Sequence, residues 1–230
     1  MLLWLILVLP AFGLVLYAQG KVRSAFNKYS KVANMRGVTG QEVALQLLRA
    51  NGLHDVRLEA ARGNLGDHYD PRHRVLRLSR GVAGQASVAA VGIAAHEVGH
   101  AVQHQVGYAP LKLRGALVPM ANVGSWLGYA FFFLGLIIYI FGSAFGLTFI
   151  WVGIGLFSAA VAFALITLPV EYNASSRARA MLTANGLVSE REMEGVSSVL
   201  SAAALTYVAA FIQAVAYLLY FVLIALGLRR

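Results

Sequence analysis

The chain has 230 residues, 59% of them hydrophobic and 13% charged, with a formal net charge of +9. Soluble domains run nearer half apolar and a quarter charged, which argues against an ordinary soluble enzyme and rules out a disordered chain. Cysteine is absent, which removes disulfides, thiolate metal sites and a cysteine nucleophile, and leaves histidine and carboxylate to hold any transition metal.

The charges are unevenly placed. All six histidines, 14 of the 19 Lys/Arg and 6 of the 10 Asp/Glu lie from Lys21 to Arg114, while residues 1–20, 115–170 and 195–228 carry no charge. The pattern describes a membrane protein with one substantial polar segment. Basic residues beside apolar spans follow the positive-inside bias, and no aromatic interleaving suggests nucleic acid, so none is expected as a partner.

In chain order, Leu2–Gln19 is long enough for one crossing, which needs about 20 apolar residues. No basic region precedes it and Tyr17-Ala18-Gln19 is a poor cleavage site, so it reads as a retained anchor. Thr39-Gly40-Gln41-Glu42 has the capping-box form and Asn51-Gly52 supplies a stop, which predicts a helix over 40–50. Asp67–Pro71 reads as a turn, with Asp67 and Asp70 as turn formers. Residues 75–79 read as a short strand, either a plain hairpin strand or an edge that pairs with an extended substrate. Gln85–His104 reads as a helix whose apolar run Val88–Ala95 is too short to span.

The 56 uncharged residues from 115 to 170 fit two spans, near 117–141 and 147–169, turning at Gly142–Gly146, with Pro169 at a helix end. Ser175–Thr183 looks helical and is stopped by Asn185-Gly186. Ser189-x-x-Glu192 opens another helix, and the last span lies near 206–228. Four spans result. Lys21, Arg23, Lys28 and Lys31 on one flank of the polar segment, with Lys112 and Arg114 on the other, favour the cytoplasm. Four full crossings would put Arg229-Arg230 outside; a re-entrant last segment is the alternative.

The chemistry sits at His96-Glu97-Val98-Gly99-His100. On a helix, residues i and i+4 share a face, so both imidazoles converge on one cation and Glu97 reaches a water as general base. A third ligand is then needed. His104 lies only one turn past His100 and reads as a support or surface residue. Glu171 is the better candidate, because a carboxylate ending a long uncharged stretch is costly unless paired or bound. The span count also returns it to the side of the histidine helix.

The stretches Asp67–Pro71, Ala89–His104, Leu168–Ala178 and Ala203–Ala210 resemble those of the YugP-like neutral zinc metallopeptidases of bacterial membranes, distant relatives of the HtpX-like gluzincins. The resemblance implies one zinc ion at His96, His100 and Glu171, with Glu97 catalytic. HtpX-like enzymes carry an Asp four residues after the Glu ligand; here that position is Ser175, so Ser175 or Asn173 would have to orient a ligand imidazole. Oxyanion donors are open among Tyr172, Arg177, Tyr207, His68 and Tyr69, and Arg177 and Arg179 read equally as interfacial cations.

The expected protein is mainly α, with about four transmembrane helices, a zincin-like catalytic domain and a small β element. Its expected parts are an anchor at 1–20, a cytoplasmic-side catalytic segment at 21–114, a transmembrane hairpin at 115–170, a third-ligand segment at 171–194 and a C-terminal helix and span at 195–230. The expected activity is that of a zinc metalloendopeptidase of gluzincin type in the bacterial cell membrane, with Glu97 as base for a metal-activated water. Peptides or membrane proteins are the expected substrates, and an accessory protein or a homo-oligomer remains open. The alternative is a non-catalytic metal-binding scaffold or transporter, which would be expected to place ionisable groups inside its spans; residues 115–170 and 195–228 have none.

Overall fold

A computed structural model describes residues 2–61, 63 and 66–228; Arg229 and Arg230, on which the end of the topology turns, lie outside the described residues. The elements run α1 (Leu2–Tyr29), α2 (Gly40–Ala50), β1 (Arg57–Ala60), β2 (His68–Asp70), β3 (Val75–Leu78), α3 (Arg80–Ala83), α4 (Val88–Gln105), α5 (Ala109–Ile140), α6 (Gly146–Ala184) and α7 (Glu190–Gly227). The mainly helical fold with a small β element is as expected. So are the four helices long and apolar enough to cross a membrane: α1, α5, α6 and α7.

These four helices are longer than the apolar runs alone indicate. The first continues to Tyr29 and the last is one helix from Glu190. Pro169 does not end a helix. It sits inside α6, as Pro10 and Pro119 sit inside α1 and α5. A proline forfeits one backbone bond, and long apolar helices tolerate that loss when neighbours stabilise both flanks.

The contacts divide the chain into two compact units. The first comprises residues 1–17, 112–168 and 207–230. Here α5 and α6 form an antiparallel hairpin joined by a turn in which Gly142 takes φ +92°. The two helices close through glycine: a Cβ on Gly124 would lie 2.7 Å from the Leu156 carbonyl, and one on Gly153 2.6 Å from the Phe132 amide. Small residues at such faces let backbones approach where lipid offers no hydrophobic drive. Phe132 and Phe221 stack at 4.0 Å, and Tyr129 meets Phe157 and Phe221 edge-on. Trp126, Phe133 and Ile137 point outward and are exposed, as lipid-facing side chains would be.

The second unit comprises residues 18–111 and 169–206. Thr39 and Glu42 form the predicted capping box on α2, which buries Val43, Leu47 and Leu48 against α4. Helix α4 starts at Ser87, whose hydroxyl accepts from the Ala90 amide, and is buried nearly all round. That explains its lack of a polar face: it is a core helix, packed by α2, α6 and α7. Against α7, Gly92 meets Val196, and Gly195 meets Tyr29 and Val88. Ser189 and Glu192 form a second capping box at the start of α7.

The sheet order is β1-β3-β2, with β1 parallel and β2 antiparallel to β3. Strand β3 is therefore central, bonded on both sides, and is not the edge on which a substrate strand could add. The span 67–71, expected as a turn, is strand β2 over His68–Asp70, and the turn follows it. Asp70 accepts from the Arg72 and His73 amides there, and Arg74 adopts φ +52°. Asp67 is not a local turn former, because its carboxylate accepts from the Ser79 amide and hydroxyl at the start of α3.

Candidate metal centre

The i, i+4 spacing on α4 puts the His96 and His100 rings 4.7 Å apart, edge to face. Glu171 reaches them from α6. Its Oε2 lies 3.2 Å from His96 Nε2 and 3.5 Å from His100 Nε2, and its side chain is 2% exposed. One donor atom from each of the three residues lies within 4.8 Å of the others. Around a tetrahedral zinc with bonds of about 2.1 Å, neighbouring donors sit about 3.4 Å apart. The two carboxylate–imidazole separations bracket that value, and two imidazoles with a carboxylate suit the ion chemically.

What brings Glu171 so close is the glycine between the histidines. A Cβ on Gly99 would lie 2.6 Å from the Ala174 carbonyl, so α4 and α6 touch backbone to backbone there. Glu171 is three residues before Ala174, on the same face of α6. The absence of a side chain at the motif's fourth residue thus permits the close helix contact one turn from Glu171.

Each imidazole is held by its other nitrogen. Gln103, fully buried on α4, donates from Nε2 to the Val170 carbonyl and to Asn173 Oδ1. Its Oε1 is left to accept, 3.0 Å from His100 Nδ1. His100 must then carry its proton on Nδ1, which turns the Nε2 lone pair toward Glu171. Asn173 is itself fixed by Arg177, whose Nε donates to the same Oδ1. On the other ring, Ser175 Oγ lies 3.1 Å from His96 Nδ1. Ser175 therefore stands against an imidazole, as its position four residues after Glu171 suggests, while Asn173 acts through Gln103.

Glu97 is buried at 8% exposure. Burial opposes protonation of His100, but its bond to Glu171 and the negative charges of Glu97 and Glu171 outweigh that, so its pKa lies above the ordinary histidine value.

The other named residues are placed as follows. His104 Nδ1 lies 2.9 Å from the Tyr69 hydroxyl, and His104 is absent from the three-donor group. Burial raises the Tyr69 pKa. His68 lies between the Gly66 carbonyl and Arg77 at the sheet. Tyr172 is exposed on α6, beside Glu171. Tyr207 belongs to the first unit. Gln103 was not singled out from the sequence; the available signal was an amide one turn after His100, on the helix face that the two histidines share.

A family model described as "Putative neutral zinc metallopeptidase" matches residues 4–226. The chain belongs to that family. It is 49% identical over 226 residues, 98% of each chain, to the "Putative membrane protease YugP" of Bacillus subtilis (strain 168). No solved structure matches it. Family membership and the donor set agree on zinc as the cofactor, and with the four apolar helices they describe a zinc metallopeptidase-family protein of a membrane.

Proposed function

We propose that this chain is a membrane-anchored endopeptidase in which His96, His100 and Glu171 hold one zinc ion and Glu97 is the general base. The carrying observation is the pair of donor separations, 3.2 and 3.5 Å, around a carboxylate buried between two oriented imidazoles. A zinc ion held there would polarise the scissile carbonyl and acidify an attacking water. Glu97, beside the donors, would accept the proton of the attacking water and pass it to the departing amine nitrogen. Gln103 and Ser175 hold the two rings by their Nδ1 atoms, which leaves both Nε2 atoms facing Glu171, where the ion would be held. The gluzincin assignment follows from a glutamate as third donor.

Glu97→Gln should keep zinc, because all three donors persist, and lose about 10²–10⁴-fold in peptide hydrolysis. Zinc content and casein cleavage of purified wild type and variant measure both; unchanged turnover would remove the assignment.

The catalytic segment, 21–114 with 171–194, lies on the cytoplasmic face of a bacterial cell membrane in this reading, and its substrates are membrane-protein segments or loosely folded chains. The basic flanks at Lys21, Arg23, Lys28, Lys31, Lys112 and Arg114 support that orientation. A reporter fused after Ser79 should score cytoplasmic and one within residues 142–146 external. The reverse pair of results overturns the orientation and leaves the peptidase assignment standing.

A further inference from the structure

Away from the metal centre, α1 and α7 face each other across a cavity of about 400 Å³. On α1 it is lined by Lys21, Ser24 and Lys28, and on α7 by Ser198, Ser201 and Leu205. Both sets follow the i, i+3, i+7 spacing of a single helix face, so two stripes, one cationic and one hydroxylic, meet along about two turns. No carboxylate is among the lining residues. Lysines and serine hydroxyls thus share the cavity with Ala25, Tyr29 and Ala202; Lys28 Nζ lies 4.9 Å from the Tyr29 ring centroid, and Lys28 and Tyr29 also border the adjoining pocket that Arg191, Glu192 and Glu194 line. Its place in the chain is as informative as its lining. Lys21 is the first charge after the uncharged residues 1–20, and Leu205 lies within the uncharged stretch 195–228, so the groove lies where one candidate span ends and another begins.

We infer that this groove binds the phosphate of an anionic lipid headgroup. Lysine serves phosphate as a point charge on a flexible stem, and the seven residues from Lys21 to Lys28 rise about 10 Å, a gap two such stems close from either end. Serine hydroxyls complete the oxygen shell as donors. Leu205, at the end of the groove nearest the spans, and Ala202 one turn before it take the glycerol and upper acyl carbons. Free phosphate would meet the same charges and hydroxyls but gain nothing from Leu205 and Ala202. The inference does not depend on peptidase activity.

The test uses the purified full-length protein in detergent, titrated with dioleoyl phosphatidylglycerol or dioleoyl phosphatidylcholine and followed by native mass spectrometry. Wild type should favour phosphatidylglycerol by at least tenfold. Lys21→Gln with Lys28→Gln should lower that affinity roughly thirtyfold, the worth of two basic residues at an anionic surface. Lys21→Arg with Lys28→Arg should retain most of it. Lys112→Gln with Arg114→Gln removes the same charge elsewhere and should leave it unchanged. Ser198→Leu with Ser201→Leu, which fills the groove and keeps the lysines, should also lose binding, so the test survives a poorly folded lysine variant. Equal losses in both charge-removing pairs would reduce the effect to diffuse attraction and overturn the site. Displacement of the lipid by millimolar inorganic phosphate, or by a polyglutamate peptide, would overturn the lipid as the occupant.

Discussion

In the unit of residues 1–17, 112–168 and 207–230, several glycines on α5 and α6 bring two helices together, and aromatic rings fill the space beside them. In the unit of residues 18–111 and 169–206, Gly99 does the same for α4 and α6, but the groups it delivers are polar: Glu171, Asn173 and Ser175. The same device serves different ends. In the first, close approach is itself the stabilising contact, since lipid and leucine are equally apolar. In the second, close approach sets the position of a carboxylate against two imidazoles, and each buried polar atom there has to find a partner.

The comparison breaks most severely if the carboxylate is removed. Glu171→Ala leaves two histidines on one helix, so zinc should dissociate during dialysis and hydrolysis should fall to background. His104→Ala, whose ring pairs with Tyr69, should lose at most about 10–100-fold. Zinc stoichiometry measured side by side decides the matter; full zinc in Glu171→Ala with none in His104→Ala would sink the donor set.

A methyl group sharpens the contrast between the units. Gly99→Ala gains helix propensity but drives its Cβ into the Ala174 carbonyl, and overpacking of this kind costs about 1–3 kcal/mol. Zinc retention should drop along with thermal stability. Gly153→Ala makes an equally close clash with Phe132, yet should lower stability while leaving zinc content intact. If both variants keep zinc alike, Gly99 does not govern the approach of Glu171.

The smallest effects concern the orientation of the rings. Gln103→Leu frees the His100 tautomer and strands the Val170 and Asn173 acceptors, and Ser175→Ala removes the partner of His96 Nδ1. Each should weaken zinc affinity by about 10–100-fold, Gln103→Leu more than Ser175→Ala because it breaks several bonds. A chelator titration reads both; a wild-type chelation curve for Gln103→Leu would show that the network does not orient His100.

Much of this was legible in the residues. His96, Glu97 and His100 declare themselves by helical spacing, and Glu171 by being charged where its neighbours are not. The capping boxes at Thr39 and Ser189 fixed two helix starts to the residue, because their chemistry is local. What stayed hidden depends on partners distant in sequence. Gln103 looks like any helical glutamine until Val170 and Asn173 are beside it. The central position of β3 is set by β1, where Arg57 and Glu59 alternate with Leu58 and Ala60 over only four residues, too short a pattern to announce a strand. Pro169 reads as a terminator locally, and only the helix on either side overrides it.

The unit that holds the candidate metal centre is written in two instalments. His96, Glu97 and His100 belong to the first, Glu171 to the second, and the α5–α6 hairpin lies between them. Translation at about 5–20 residues per second takes roughly 4–14 s to cover the 71 residues from His100 to Glu171. During that interval the nascent chain carries His96, Glu97 and His100 but lacks Glu171. The ribosome has produced both apolar segments of the hairpin before it produces the carboxylate, so the donor set is completed only after the sequence destined for the bilayer has been made.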